Sequence, residues 1–449
     1  MTTEEESHEK LDRHYADFES DWHVTDRTTA YKALVTSSDN AKEPFHRWFH
    51  LKEAFAHDLL QRLKADETER PDLADWSSVL DPFAGGGTTP LSALMLNAGS
   101  SDAVIAGVER NAALRVVADA KLLGFTLPKP QLPSLLEAAR RLDFSTSTNA
   151  STESSTLNNS RFFDSTQVAA LLNVRAQLQG IDDVRTRTIL ECALLASVEG
   201  TGKVRRDGRA LRFDPNKKTL TSQASFASRV EAIANDIRGR TENHFPSFES
   251  RVQLGDARAV DQLESLQGKT FNRIVFSPPY PNNIDYTEVY KVENWVLGEW
   301  RSPADMRAQR LATLRSHPSV LFPDEYDYLE SSDSEAISAL VDPLIDSIPK
   351  DRYSRGRDQL VRGYVDDMRS VLRACRSAIA SNGRLYCIVG NSVHGHSPSG
   401  FVVAADVLIA RIGELTGWRV EEIRVARMLT RRASDSRYVR ESVVVLEPA

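Results

Sequence analysis

Val79-Leu80-Asp81-Pro82-Phe83-Ala84-Gly85-Gly86-Gly87-Thr88-Thr89 is the stretch that decides how this chain folds. The apolar run Ser78–Leu80 reads as a strand, and it enters the Gly-rich Asp81–Thr89 directly before a helical segment, Pro90–Leu96. A strand turning on glycines into a helix opens a βα unit. Glycines at such a turn let a ligand approach the backbone, and the helix N-terminus favours a carboxylate. The pattern is not the dinucleotide GxGxxG, because Thr-Thr follows its glycines. Nor is it a P-loop, because no Lys-Ser/Thr pair closes it.

Outward from this loop, Ala103–Val108 reads as a second strand ending at Glu109, and a helix follows through Asn111–Leu123. An acidic side chain about twenty residues beyond a Gly-rich turn can accept hydrogen bonds from ribose hydroxyls. Further strands are expected at Arg251–Leu254, Asn272–Phe276, Arg384–Val389, Trp418–Val425 and Ser442–Leu446. The fold class is therefore α/β: a Rossmann-like, seven-stranded, mostly parallel sheet with a largely helical insertion. Residues 1–43 read as an acidic N-terminal tail or frayed helix, 44–125 as the half carrying the Gly-rich loop, 126–250 as the helical insertion, and 251–449 as the second half, itself interrupted at about 299–360. Within the insertion, Ser145–Ser160 is almost entirely Ser, Thr and Asn, with little to bury, and is expected to be a mobile loop.

The second chemical signal is Phe271-Asn272-Arg273-Ile274-Val275-Phe276-Ser277-Pro278-Pro279-Tyr280, a hydrophobic strand ending in two prolines and an aromatic. Two prolines remove two N–H donors, so nearby carbonyls lack local partners and can accept from an amine. An aromatic beside them can stack on a base rotated out of a duplex. An exocyclic base amine is a poor nucleophile because its lone pair is delocalised into the ring. Acceptors at Ser277 Oγ and the Pro278 carbonyl would draw electron density onto the nitrogen, and placing it in line with a methyl donor supplies the rest.

Asp81–Thr89 resembles the cofactor loop of the DNA amino-methyltransferases, Asp-Pro-Phe-x-Gly-x-Gly-Thr-Thr, and Ser277–Tyr280 resembles their catalytic tetrad. The resemblance implies that Asp81, Phe83, Gly85, Gly87 and Thr88 surround the methionine part of S-adenosylmethionine, and that Glu109 holds its ribose. Phe45–Phe55, with Lys52 and Phe55, is similar to the segment that covers the methionine end. Leu254-Gly255-Asp256-Ala257 is similar to the strand end contacting the adenine, with Asp256 facing its amino group. The likeness covers roughly 44–125 and 250–449. Ser in first place of the tetrad is commoner in the cytosine-N4 group, and Asp or Asn in the adenine-N6 group. The expected function is site-specific methylation of DNA at cytosine N4 through Ser277, Pro278, Pro279 and Tyr280. The alternatives are adenine-N6 methylation by the same site and a catalytically silent nucleic-acid-binding scaffold.

Net charge is −7, so any DNA affinity must come from local clusters. Lys203–Lys218 holds seven basic residues and Arg424–Arg440 six. The first is expected to bind DNA through Lys203, Arg205, Arg206, Arg209 and Arg212. The partners implied are double-stranded DNA with a flipped base and a cognate restriction or defence nuclease. An apolar content of 41%, an acidic start and no stretch resembling a membrane span point to a cytoplasmic protein. The three cysteines form no CxxC pair and none follows a proline, which argues against zinc, disulfides and carbon-5 cytosine chemistry.

Overall fold

The computed structural model describes all of the chain except residues 1–2, 69, 71–72, 101, 146–150, 207–209, 242–251, 351–353, 396–399 and 430–435. Its centre is a mixed sheet of β1 (Val24–Asp26), β2 (Ser78–Asp81), β3 (Val104–Glu109), β4 (Val252–Leu254), β5 (Phe271–Phe276), β6 (Ile379–Gly390), β7 (Trp418–Met428) and β8 (Arg440–Pro448). The spatial order is β1-β7-β8-β6-β5-β2-β3-β4. All neighbours run parallel except β7–β8 and β8–β6. The seven strands expected from sequence are present, and an eighth, β1, lies outside β7.

Both faces of the sheet are covered, so its strands are apolar on both sides. Val79, Val275, Val443 and Val445 point into one core, with Leu60, Leu91, Val117 and Ile189. Leu80, Ile274, Val444 and Leu446 point into the other, with Met368, Leu372 and Leu408. This alternation is the period-two pattern of a strand between two helical layers.

Two expectations are corrected, and one basic cluster is accounted for. Residues 3–19 form a docked helix: Leu11 and Tyr15 are buried one turn apart, and the Tyr15 hydroxyl donates to the Val402 carbonyl at 2.8 Å. The polar segment after residue 150 is held down, because Leu157 is 1% exposed and Phe163 bridges Gly202. The rest of that segment, 146–150, lies outside the described residues. The described arginines of the Arg424–Arg440 cluster pair with acidic side chains within the chain, and Arg431 and Arg432 lie outside the described residues. Arg424 pairs with Glu422 and Asp66, Arg427 with Glu441, and Arg440 with Glu19 and Asp406.

Of the helices of the insertion, Val184–Thr201 and Ser222–Gly239 pack on helix Ala112–Phe125, and Leu132–Arg140 and Ser165–Leu178 pack on those two, all within the first core. They carry a short hairpin, Val204–Arg206 with Leu211–Phe213. In the described residues no helix is long and apolar enough to cross a membrane.

Candidate active site

β2, β3 and β4 run outward in one direction, and the chain then returns to place β5 on the other side of β2. Ligands of open α/β sheets bind where strand order reverses in this way, beyond the carboxyl ends of the strands. Val79 and Leu80 pair directly with Arg273 and Ile274, so the Gly-rich loop and Ser277–Tyr280 leave adjacent strands side by side. The rings of Phe83 and Phe276 stand 5.5 Å apart across that join. Between the loops lies a cleft of about 740 Å³. Ligand sites commonly hold ~300–1,000 Å³.

Asp81, Phe83, Gly85, Thr88, Glu109, Asp256, Lys52 and Phe55 all reach this cleft, together with the whole tetrad Ser277–Tyr280. Asp81 is buried and its carboxylate accepts from the Phe83 amide at 2.8 Å. Burial pushes its pKa up to about 7 against the lowering effect of Thr89 and Phe83. Glu109 accepts from the amides of Gly85 and Asn111, each at 2.7 Å, and burial raises its pKa. The loop and the acidic strand end are thus tied together, and Glu109 lines the cleft. Gly85 has φ +51°, and a Cβ there would meet Leu51 Cδ2 at 2.9 Å. This tight glycine turn beside paired acids suits a ligand bearing hydroxyls and an amino acid group.

Some expected residues do other work. Gly87 (φ +82°) does not line the cleft: a Cβ there would meet the Ala118 backbone at 2.9 Å, so it seats the loop on helix Ala112–Phe125. Asp256 lines the cleft, but Arg258 donates to it at 2.7 and 3.0 Å. Burial works to raise its pKa, yet the Arg258 hydrogen bonds and charge outweigh this and hold it below the usual value. An amino group there would share Asp256 with Arg258. Arg206 is buried, paired with Glu293 and Glu199, and is unavailable to a DNA backbone. Its carbonyl accepts from Lys52 Nζ, which moors the hairpin to the cleft rim. Lys203, Arg205 and Arg212 are exposed on that hairpin, and Arg209 lies outside the described residues.

Sequence reasoning missed the groups that lock these parts. Lys121 is buried in helix Ala112–Phe125 and donates to the Gly86 carbonyl at 2.8 Å and the Phe49 carbonyl at 3.1 Å. Burial lowers its pKa to about 8. A lone Lys in Val-Val-Ala-Asp-Ala-Lys-Leu-Leu was the available signal. Asp236 holds the Phe45 amide and Trp48 Nε1, each at 2.9 Å, fixing the segment that precedes Lys52. Residues 309–317, from the second insertion, also line the cleft, and the Asn282 amide donates to the Ser316 carbonyl at 3.0 Å.

Around the tetrad, Ser277 Oγ donates to the Tyr280 hydroxyl at 3.2 Å, and that hydroxyl donates to Glu441 Oε1 at 2.9 Å. The Tyr280 ring lies so close to Gly390 that a Cβ there would be 2.7 Å from Cε2. Ser392 Oγ and His394 Nε2 meet the Pro281 carbonyl at 2.5 and 3.0 Å. Cys192, Cys375 and Cys387 are buried away from the cleft, and burial pushes all three thiols up. In the described residues no group of three or more His, Cys, Asp or Glu could hold a metal ion.

The chain is 23% identical over 418 residues to the Type II methyltransferase M.AvaI of Nostoc sp., covering 88% of this chain and 83% of that protein. Its relatives are methyltransferases. The Anabaena variabilis protein of the same name matches to the same extent. The Type II methyltransferase M.BsoBI of Geobacillus stearothermophilus is 24% identical over 350 residues, 72% of this chain and 66% of that protein. No family model and no solved structure matches the chain.

Proposed function

We propose that this protein is an S-adenosylmethionine-dependent DNA methyltransferase of Rossmann-like fold that modifies the exocyclic N4 amine of cytosine. The observation that carries the reading is the pairing of β2 with β5, which sets Asp81–Thr89 and Ser277–Tyr280 on one cleft. The similarity to two named Type II methyltransferases over most of the chain supports the reaction class. Ser in first place of the tetrad favours cytosine.

The donor, when bound, supplies an electrophilic methyl group on a sulfonium. Glu109 would accept its ribose hydroxyls, while Asp81, Phe83, Gly85 and Thr88 would enclose its methionine end beneath Lys52 and Phe55. A flipped base would enter beside Tyr280 and present its amine to Ser277 Oγ and the Pro278 carbonyl. Lys203, Arg205 and Arg212 on the hairpin would meet phosphates or guanine edges at the cleft rim.

Purified protein incubated with S-adenosylmethionine and duplex DNA should yield N4-methylcytosine by nucleoside mass spectrometry. N6-methyladenine alone would transfer the proposal to adenine. No methylated base in DNA carrying every short sequence motif would end it.

A further inference from the structure

The tetrad does not stop at Tyr280. Ser277 Oγ donates to the Tyr280 hydroxyl, which in turn donates to Glu441 Oε1. Both hydrogens therefore point the same way, toward Glu441 at the cleft wall. Glu441 is only 4% exposed, and it sits on β8 between its paired neighbours, Gly390 of β6 and Arg427 of β7. Arg427 Nη2 donates to its other oxygen, Oε2, at 2.7 Å. A buried carboxylate placed behind a tyrosine hydroxyl is costly unless paired. Stacking on a base requires only the aromatic face of Tyr280, so neither its hydroxyl contact nor Glu441 is explained by base binding.

We propose that Ser277, Tyr280 and Glu441 form a proton relay that carries away the proton released when the target amine is methylated. The proposal rests on the reading of the site as an amino-methyltransferase. As the new N–C bond forms and the methyl–sulfur bond of the donor breaks, the nitrogen becomes cationic and must lose one N–H proton. That proton passes to Ser277 Oγ, the serine proton to Tyr280 Oη, and the tyrosine proton to the Glu441 carboxylate. Serine and tyrosine each end neutral, Glu441 ends protonated, and it returns the proton to water after product leaves. The shift through Tyr280 is concerted, because burial foremost, and then the charge of Glu441, disfavours a free tyrosinate. Glu441 also lines the cleft, and in the relay it acts through Tyr280. Among the described residues, the charged and titratable groups around this relay include Arg427 on β7, Tyr286 just after the tetrad, whose pKa is raised by burial first, and Glu53, which adds to that rise. β6 contributes only Gly390 at the paired position.

The experiment uses single-turnover methylation by full-length protein, comparing wild type with Tyr280→Phe, Glu441→Gln and the double variant. The phenylalanine keeps the stacking ring and removes only the relay oxygen. Both single variants should slow the chemical step by roughly 10²-fold, the scale of a lost proton acceptor. The double variant should be no slower, because either change breaks the same chain. The ratio of wild-type to Glu441→Gln rates should rise with pH and approach one at low pH, where Glu441 is already protonated. Asp81, whose pKa burial raises, is untouched by the Glu441 substitution, so its titration cancels in that ratio. Base insertion, read from 2-aminopurine fluorescence at the target position, and S-adenosylhomocysteine affinity should stay within several-fold of wild type. A Tyr280→Phe variant at wild-type rate, a pH-independent ratio, or loss of base insertion in both variants would overturn the relay. A wild-type protein that methylates no DNA would instead defeat the proposed function itself.

Discussion

Tyr280 shows what a single residue owes to its surroundings. Its ring fits because position 390 is glycine, and its hydroxyl is fixed because β8 delivers Glu441. Gly390→Ala should push the ring aside and slow methyl transfer by roughly 10²-fold, the penalty for about 1 Å of misplacement. Calorimetric affinity for S-adenosylhomocysteine should not change, since Gly390 lies on the base side of the cleft. Lys121 makes the complementary case on the cofactor side. Lys121→Met would leave the Gly86 and Phe49 carbonyls unpaired in the core, costing about 2 kcal/mol or more in denaturant unfolding. It should also weaken S-adenosylhomocysteine binding, because the Gly86 carbonyl anchors the loop whose Gly85 lines the cleft.

At the scale of elements, the hairpin Val204–Arg206 with Leu211–Phe213 separates two uses of arginine that look alike in sequence. Arg206 points inward to Glu293, so Arg206→Met should destabilise the fold by about 3–5 kcal/mol by stranding a buried carboxylate. Arg205 and Arg212 point outward. Replacing either by Ala should leave stability within about 0.5 kcal/mol. Each should lower DNA affinity and reduce the slope of log affinity against log salt by about one unit. Equal DNA affinity in both variants would remove the hairpin from the DNA interface. The alternation in Val204-Arg205-Arg206 could not reveal which arginine was buried, because that depends on Glu293, nearly ninety positions away.

For the whole molecule, the pH dependence of stability should carry the mark of Asp81. Its folded pKa, about 7, exceeds its ordinary value of 3.8. The folded state therefore holds a proton that the unfolded chain releases, and stability present below about 3.8 is lost as pH rises to about 7. Asp81→Asn removes this dependence. The melting temperature of the variant should rise relative to wild type between pH 4 and 7, then hold a constant gap, worth at most about 4 kcal/mol. A gap that does not change with pH would show that Asp81 is solvated in the free protein.

Local patterns were enough to determine the βα series, seven strands, the Gly-rich turn and the proline-aromatic tetrad, since each rests on short-range backbone preferences written in consecutive residues. Most of the catalytic and cofactor residues they singled out reach the cleft. Only the tertiary structure decided the eighth strand, whose three residues carry too little signal alone, and the docking of the N-terminal helix by Leu11 and Tyr15. It alone turned Gly87 toward Ala118, gave Asp256 to Arg258, and divided the basic clusters between internal ion pairs and surface. The reason is the same in each case. A charge or a glycine acquires its role from the partner it meets, and those partners arrive from strands and helices tens to hundreds of residues away.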